Sequence, residues 1–294
     1  MRRLRFVSLF CLTLAFGLFR VHAGDMFVVK DGCYLPLFEN NKEIRSFERG
    51  EKGCNCDDLD TVLLPGAVVE VLGDEKNGMV EVTCEMTEKV RHKGFVYKSS
   101  IKDFCKKFEK EDVKRGRSPM SLLEIRSVFE RCLSENVPYC WGGNQFETVP
   151  LRGATFTSEK KGDQYECRGF DCSGLLYYVS DGTLPHATGA LKNFGKRLFT
   201  VEANKKWEVS NEDLKRVVAD LKDTDFIAIR GHVIVAYNKG LIEFRSKDLG
   251  CCFTPEEETV QRITELIEAA KKKNSDVWFV RWHPEIKAER SFIK

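Results

Sequence analysis

The chain has 294 residues, with 47 lysines and arginines set against 45 aspartates and glutamates, so its formal net charge is only +2. That balance gives no electrostatic case for nucleic acid or an acidic polymer as partner. Twelve cysteines are many for the length, and such usage suits an oxidising compartment.

The first residues agree. MRRLR is basic, FVSLFCLTLAFGLF is apolar, and Val21-His22-Ala23 places small residues at the two positions a signal peptidase reads. Residues 1–23 are therefore expected to be a signal peptide, cleaved after Ala23. The apolar run is about 14 residues long where roughly 20 are needed to cross a bilayer, so an anchor is not expected. Cys11 lies inside that run rather than just beyond it, which speaks against a lipid anchor. The mature chain, about 270 residues, is expected to be exported (periplasmic, envelope-bound or secreted), with no membrane span and length enough for two domains. If Cys11 leaves and Cys172 stays a thiol, ten of the twelve cysteines remain for up to five disulfides, whose connectivity the sequence leaves open. Cys54/Cys56 and Cys251-Cys252 lack the two-residue spacing of a zinc knuckle and have no histidine nearby in sequence. Structural disulfides or buried thiols are expected there, and neither metal nor cofactor.

Residues 24–105 read as short strands between turns. AVVEVL (67–72) follows Pro65-Gly66, MVEVTCEM follows the polar turn GDEKNG, and KGFVYKSSI repeats the pattern, so at least one hairpin is expected. Order and spacing resemble the bacterial Src-homology-3-like domain common in cell-wall proteins. The resemblance implies a small all-β barrel that attaches to wall material, shapes a neighbouring cleft, or is only structural. Residues 106–119 are charged and almost free of apolar side chains, which predicts a solvated linker.

Residues 120–294 change pattern. Ser121 and Glu124 have capping-box spacing, and Leu122, Ile125, Val128, Phe129 and Cys132 recur at helical intervals, predicting a helix over 120–135. Pro138 then leads into YCWGGN, where Trp141 is expected in the core and Tyr139 is either a core aromatic or a substrate contact. A polar insertion spans 145–168, FDCSGLL opens a helix at Cys172, and ATGALKNFGKRL predicts a further short helix. DFIAIR, HVIVAY, GLIEFR and VWFVRW read as late strands, and Thr254 with Glu257 as the capped start of a helix running to about Lys273. Helices followed by an antiparallel meander make an α+β domain. His283, before Pro284, is expected to be structural.

The chemistry concentrates near Cys172, which stands between Asp171 and Ser173 where loop residues give way to an apolar run. The reacting form of a cysteine is the thiolate, and a helix N-terminus aided by a nearby imidazolium can lower a thiol pKa into the range of about 3.5 to 7.5. Cys172 is the candidate nucleophile and His232, in GHVIVAY, the candidate base. Glu243, on the following strand, lies where antiparallel neighbours can meet side by side.

PYCWGGN, FDCSGLL, LPHATGAL, LKDTDFIAI and GHVIVAYNKGLIEF, in this order, resemble the five motifs of the NlpC-type cell-wall peptidases, a branch of the papain-like cysteine peptidases. The resemblance implies an α+β papain-like catalytic domain over 120–294, with Cys172 as nucleophile, His232 as base and Glu243 as the third polar residue. Tyr139, Asp171 and Ser173 match positions that, in family members of this two-domain layout, bind the free amino terminus of a peptidoglycan stem peptide. The implied reaction is hydrolysis of the bond between D-isoglutamate and a diamino acid through a thioester. An amidase cutting between muramic acid and L-alanine, and a catalytically silent wall-binding adaptor, are the alternatives. Four departures stand out: Thr224 replaces a glycine before Asp225, His186 stands where an arginine is usual, the 145–168 loop is long, and Glu243 takes a place more often held by histidine, asparagine or glutamine. A carboxylate there can still fix the tautomer of His232 and stabilise its imidazolium. Oligomeric state is not legible in the sequence.

Overall fold

A computed structural model of the chain describes residues 20–42, 47–56, 58–87, 90–109, 112, 118–151, 166–203 and 210–286. Most of the expected signal peptide, half of the expected linker and the centre of the 145–168 insertion lie outside the described residues. No described helix is long and apolar enough to cross a membrane.

The fold is mixed α/β, with several sheets and few helices. Seven antiparallel strands form the first sheet: β1 (Met26–Val29), β2 (Leu35–Phe38), β5 (Leu59–Leu63), β6 (Val68–Val71), β7 (Met79–Thr87), β8 (Val90–Tyr97) and β9 (Cys105–Lys107), in the order β5-β2-β8-β7-β6-β1-β9. The expected hairpin is present, with Val69 opposite Cys84 and Val71 opposite Val82. Two details differ from expectation. KSSI, read as continuing the strand pattern, opens helix α1 (Lys98–Phe104), and Lys106 and Lys107, expected to begin a linker, belong with Cys105 to the strand that pairs with β1. Charged residues at an exposed sheet edge look like a solvated linker in composition, and Lys106 and Lys107 are exposed.

The second sheet joins distant parts of the chain. It contains β3 (Phe47–Gly50), β4 (Gly53–Cys56), β10 (Tyr139–Cys140), β11 (Asn144–Pro150) and β12 (Glu166–Phe170), in the order β11-β12-β10-β4-β3. Strand β10 runs parallel to β4, with Tyr139 opposite Gly53 and Cys140 opposite Cys54. Pairing across more than eighty residues leaves no local signal, so the N-terminal strands could not be foreseen to share a sheet with the YCWGGN segment.

The third sheet holds β13 (Lys196–Val201), β14 (Phe226–Ile229), β15 (His232–Tyr237), β16 (Gly240–Phe244), β17 (Cys251–Thr254) and β18 (Val277–Arg281), in the order β13-β18-β14-β15-β16-β17, with every neighbouring pair antiparallel. Side chains alternate along a strand, and here both faces are covered. Val233 and Val235 join the cluster of Ile125, Phe129 and Cys132 on α2 (Leu122–Ser134), whereas Ile234 joins Leu214 of α5 (Asn211–Asp220) and Ile263 and Leu266 of α6 (Thr259–Lys272). Burial on both faces explains why FIAI and HVIVAY read as unbroken apolar runs.

The capping box of α2 is present: Ser121 Oγ accepts from the Glu124 N–H at 3.4 Å, and Glu124 Oε2 accepts from the Ser121 N–H at 2.8 Å. Two other helix readings need correction. ATGALKNFGKRL gives only α4 (Thr188–Leu191) before the chain turns into β13, and Thr254 ends β17 opposite Leu241 instead of capping a helix. A 3-10 turn at Glu256–Glu258 precedes α6, which keeps the expected lysines, Lys271 and Lys272, in its last turn. Helix α5, opened by Ser210 accepting from the Asp213 N–H at 3.1 Å, escaped the sequence reading because only Leu214 on it is fully buried. Thr224 has φ +81°, a left-handed conformation that disfavours β-branched residues, and its buried hydroxyl has no hydrogen-bond partner. The glycine usual there in the resembling family would carry neither burden.

Candidate active site

Asp171 lies between β12 and α3 (Gly174–Val179), and its carboxylate organises the turn. Oδ1 accepts from the N–H groups of Ser173 at 2.9 Å and Gly174 at 2.7 Å, from Ser173 Oγ at 3.1 Å, and bonds His186 Nε2 at 2.9 Å. Oδ2 accepts from the Gly142 N–H at 3.0 Å. Asp171 rather than Ser173 therefore supplies the acceptor for the orphan donors at the helix start. Burial by itself would raise this carboxyl, but the charge and hydrogen bond of His186, with those of Gly174 and Ser173, hold it below the usual range.

The Trp-Gly-Gly loop is stacked against this turn. Gly143 O accepts from the Asp171 N–H at 2.9 Å, and a Cβ added at Gly174 would sit 2.0 Å from Gly143 O. Gly142 has φ +70°, and a Cβ there would meet Leu59 O at 2.7 Å. Both glycines are thus demanded by close backbone approach. Trp141, expected in the core, is 44% exposed, a correction that follows from the loop turning its indole outward at the rim. Tyr139 is buried, and its hydroxyl is raised by burial first and then by the charges of Asp171 and Cys172, which places it beside both.

Cys172 is half-buried, two residues ahead of the first helical residue. Burial and then the Asp171 carboxylate push its thiol up to about 12, outweighing hydrogen bonds from the backbone of Val233 and Ser173. The expectation of a low thiol pKa is corrected on this point: α3 is only six residues long, so its dipole is weak, and the adjacent Asp171 carboxylate opposes a second negative charge. The backbone of Val233 lowers the thiol in opposition to burial, and Cys172 packs against the cluster that holds Val233, which puts it near the start of β15, one residue from His232. Among the described residues the thiol makes no hydrogen bond to the His232 ring.

His232 opens β15 with its side chain 17% exposed, and its Nε2 lies 2.7 Å from Glu243 Oε2. The β15/β16 ladder pairs Val235 with Ile242, so His232 reaches Glu243 on the diagonal, not directly across. Glu243 is fully buried and bound twice by Arg262 of α6, Nε to Oε1 at 2.7 Å and Nη2 to Oε2 at 2.8 Å, and once by Arg245 Nε at 2.9 Å. Burial works to raise this carboxyl, yet Arg262 and then His232 lower it to about 2. With Nε2 engaged by a fixed carboxylate, Nδ1 is the ring nitrogen left to exchange a proton with a neighbour.

Three of the residues that complete this arrangement were not singled out from sequence, and the fourth, His186, was noted only as a departure. His186 is buried with Nδ1 hydrogen-bonded to Thr61 Oγ1 of β5 at 2.5 Å and its ring stacked on Tyr177. Thr61, Arg245 and Arg262 carry no local signature that distinguishes them from ordinary strand and helix residues. His283 is buried and bonds Met120 O at 2.8 Å through Nε2, a structural tie between the last strand and α2. No group of three or more histidines, cysteines or carboxylates suited to a metal ion is found among the described residues.

No family model matches the chain. No curated protein matches it. The solved structure of NlpC2 from Trichomonas vaginalis is similar at 10% identity over 81% of this chain and 94% of that one, with a TM-score of 0.31, a likeness too loose to bear on function.

Proposed function

We propose that this chain is a cysteine peptidase of peptidoglycan stem peptides, with Cys172 as nucleophile, His232 as general base and Glu243 as the group that orients and charges His232. The observation carrying the proposal is a histidine fixed through Nε2 by a buried, ionised carboxylate, on the strand whose next residue, Val233, belongs to the cluster that Cys172 packs against. His232 Nδ1 takes the thiol proton as Cys172 attacks the amide carbonyl; the imidazolium, stabilised by Glu243, then protonates the leaving amine. Water activated by the same nitrogen resolves the thioester. Because the resting thiol is raised, the proton moves during the encounter with substrate rather than before it.

The substrate reading rests on the motif resemblance and on chemistry at Asp171. Among the described residues Asp171 Oδ2 accepts the Gly142 N–H alone, with the Tyr139 hydroxyl nearby, so a peptide's free α-amine has an acceptor there. The bond we assign is that between D-isoglutamate and a diamino acid, in a peptide whose L-alanine amine is free. The SH3-like reading of residues 24–105, the papain-like reading of 120–294 and export from the cytoplasm belong to the same proposal. The second reading, a silent wall-binding adaptor, is favoured by one observation: the raised thiol with no hydrogen bond to the His232 ring.

The test is mass spectrometry of products after incubating the full chain with synthetic L-Ala-γ-D-Glu-diamino acid and with the same stem joined to muramic acid. Fast cleavage of the free-amine peptide alone is expected. Equal rates on both would remove the amine role of Asp171 and Tyr139, and no cleavage of either by folded protein would leave the adaptor.

A further inference from the structure

The four cysteines on the inner strands of the second sheet are not used by this chemistry. Cys54 and Cys56 from β4, Cys140 from β10 and Cys167 from β12 lie together in one buried cluster with Leu59, Val62 and Val149. Three of the sulfurs form a row: Cys140 Sγ lies 2.6 Å from Cys167 Sγ and 3.2 Å from Cys54 Sγ. Both separations are inside the ~3.5 Å at which even two carbon atoms are in best contact. A shared zinc ion does not account for the row, because tetrahedral zinc–sulfur bonds of about 2.3 Å hold the sulfurs roughly 3.8 Å apart.

We propose that Cys140 is the hub of a disulfide pair, bonded to Cys167 in the oxidised protein and exchangeable to Cys54. Cys140 stands directly opposite Cys54 in β4, whereas Cys167 lies off register from Cys140, since β10 meets β12 at Tyr139 and Phe170, and is reached through the side chains, sulfur to sulfur at 2.6 Å. Neighbouring strands bring Cα atoms within the span a disulfide bridges. Formation uses a small-molecule disulfide as oxidant. The Cys140 and Cys167 thiols lose two electrons and two protons, the S–S bond forms, and the oxidant leaves as two thiols. In exchange the Cys54 thiolate attacks Cys140 Sγ, the Cys140–Cys167 bond breaks, and the Cys167 sulfur leaves with the pair of electrons and takes up the proton Cys54 gave; no oxidant is consumed. Cys54 suits the attacking role, since its sulfur lies 3.2 Å from Cys140 Sγ and the Arg49 charge favours its thiolate against the opposing effect of burial.

The exchange links the redox state to the site. Cys140 leads into the loop whose Gly142 N–H holds Asp171, and Cys167 lies on the strand that delivers Asp171 and Cys172. A 140–167 bond ties those two segments together, and a 54–140 bond ties the loop to the N-terminal strands instead.

The test equilibrates the full chain in mixtures of reduced and oxidised glutathione, blocks free thiols with N-ethylmaleimide during denaturation, and maps linked peptides without reduction. In the wild type the Cys140 peptide is expected joined to the Cys167 peptide, and in Cys167→Ser joined to the Cys54 peptide. Full alkylation of Cys140 and Cys167, linkage of Cys140 to any other cysteine, or one zinc ion per chain would overturn the pair. Should Cys167→Ser not fold, limiting dithiothreitol on the wild type decides the exchange: a 54–140 peptide must appear as Cys167 becomes alkylatable, and its absence removes Cys54 from the proposal.

Discussion

Two histidine–carboxylate pairs flank Cys172, and they are built for opposite ends. In the pair Asp171–His186, both ring nitrogens are engaged, Nε2 by Asp171 and Nδ1 by Thr61, and the imidazole side chain is 1% exposed. The carboxylate is held by three backbone N–H groups and one hydroxyl, and no guanidinium bonds it among the described residues. In the pair Glu243–His232 the carboxylate is gripped by two arginines, and among the described residues only one ring nitrogen of the histidine is bound. A histidine with both nitrogens locked can hold a loop in place; one with a nitrogen to spare can move a proton. The difference lies in the surroundings, since both pairs are a histidine and a buried acid at 2.7–2.9 Å.

The largest effect should come from the group both pairs serve. Cys172→Ala is expected to reduce stem-peptide hydrolysis to the uncatalysed level with an unchanged circular dichroism spectrum, and Cys172→Ser nearly so, because an alcohol is far harder to ionise by one histidine. Turnover by the alanine variant at the wild-type rate would dismiss the site.

Next comes the contrast itself. His232→Ala should lower kcat by about 10²–10⁴-fold, the usual worth of a general base, while shifting stability little. His186→Ala should do the reverse: it leaves Asp171 and Thr61 short of a buried partner and costs about 1–3 kcal/mol of stability, with kcat falling far less than in His232→Ala. Denaturant melts beside rate measurements separate the two, and matching profiles for both variants would dissolve the distinction.

Glu243→Gln should be intermediate, lowering the rate by about 10–100-fold and stability by on the order of 3 kcal/mol as two arginines lose a buried counter-charge. Its pH dependence has a defined sign. The folded carboxyl titrates near 2, below its ordinary 4.5. Its contribution is therefore complete above about pH 5 and is lost as the pH falls toward 2, so the stability gap between wild type and Glu243→Gln should narrow over that window. A gap that stays constant in acid melts would show that Glu243 is not held ionised by these partners.

Outside both pairs, Thr224→Gly offers a smaller effect of opposite sign. Relief of the left-handed threonine and of its unpaired buried hydroxyl should stabilise the fold by about 1 kcal/mol without altering kcat. Destabilisation in thermal melts would mean that the threonine methyl packing outweighs the strain.

What the sequence alone determined was local. Periodicity and capping chemistry gave α2 and its boundary at Ser121, the hairpin of β6 and β7, and the strands β14, β15, β16 and β18, since each is a repeat of side chains along a short stretch. The order of motifs singled out Cys172, His232 and Glu243 as the residues to examine. Tertiary structure decided what those groups experience. That β4 pairs with β10, that Thr61 reaches His186 and that Arg262 clamps Glu243 all join residues far apart in the chain. The Cys172 thiol reversed its expected direction for the same reason. A helix start was legible in sequence, but burial and the orientation of the Asp171 charge arise only when the sheets close around it, and they outweigh the dipole of a six-residue helix.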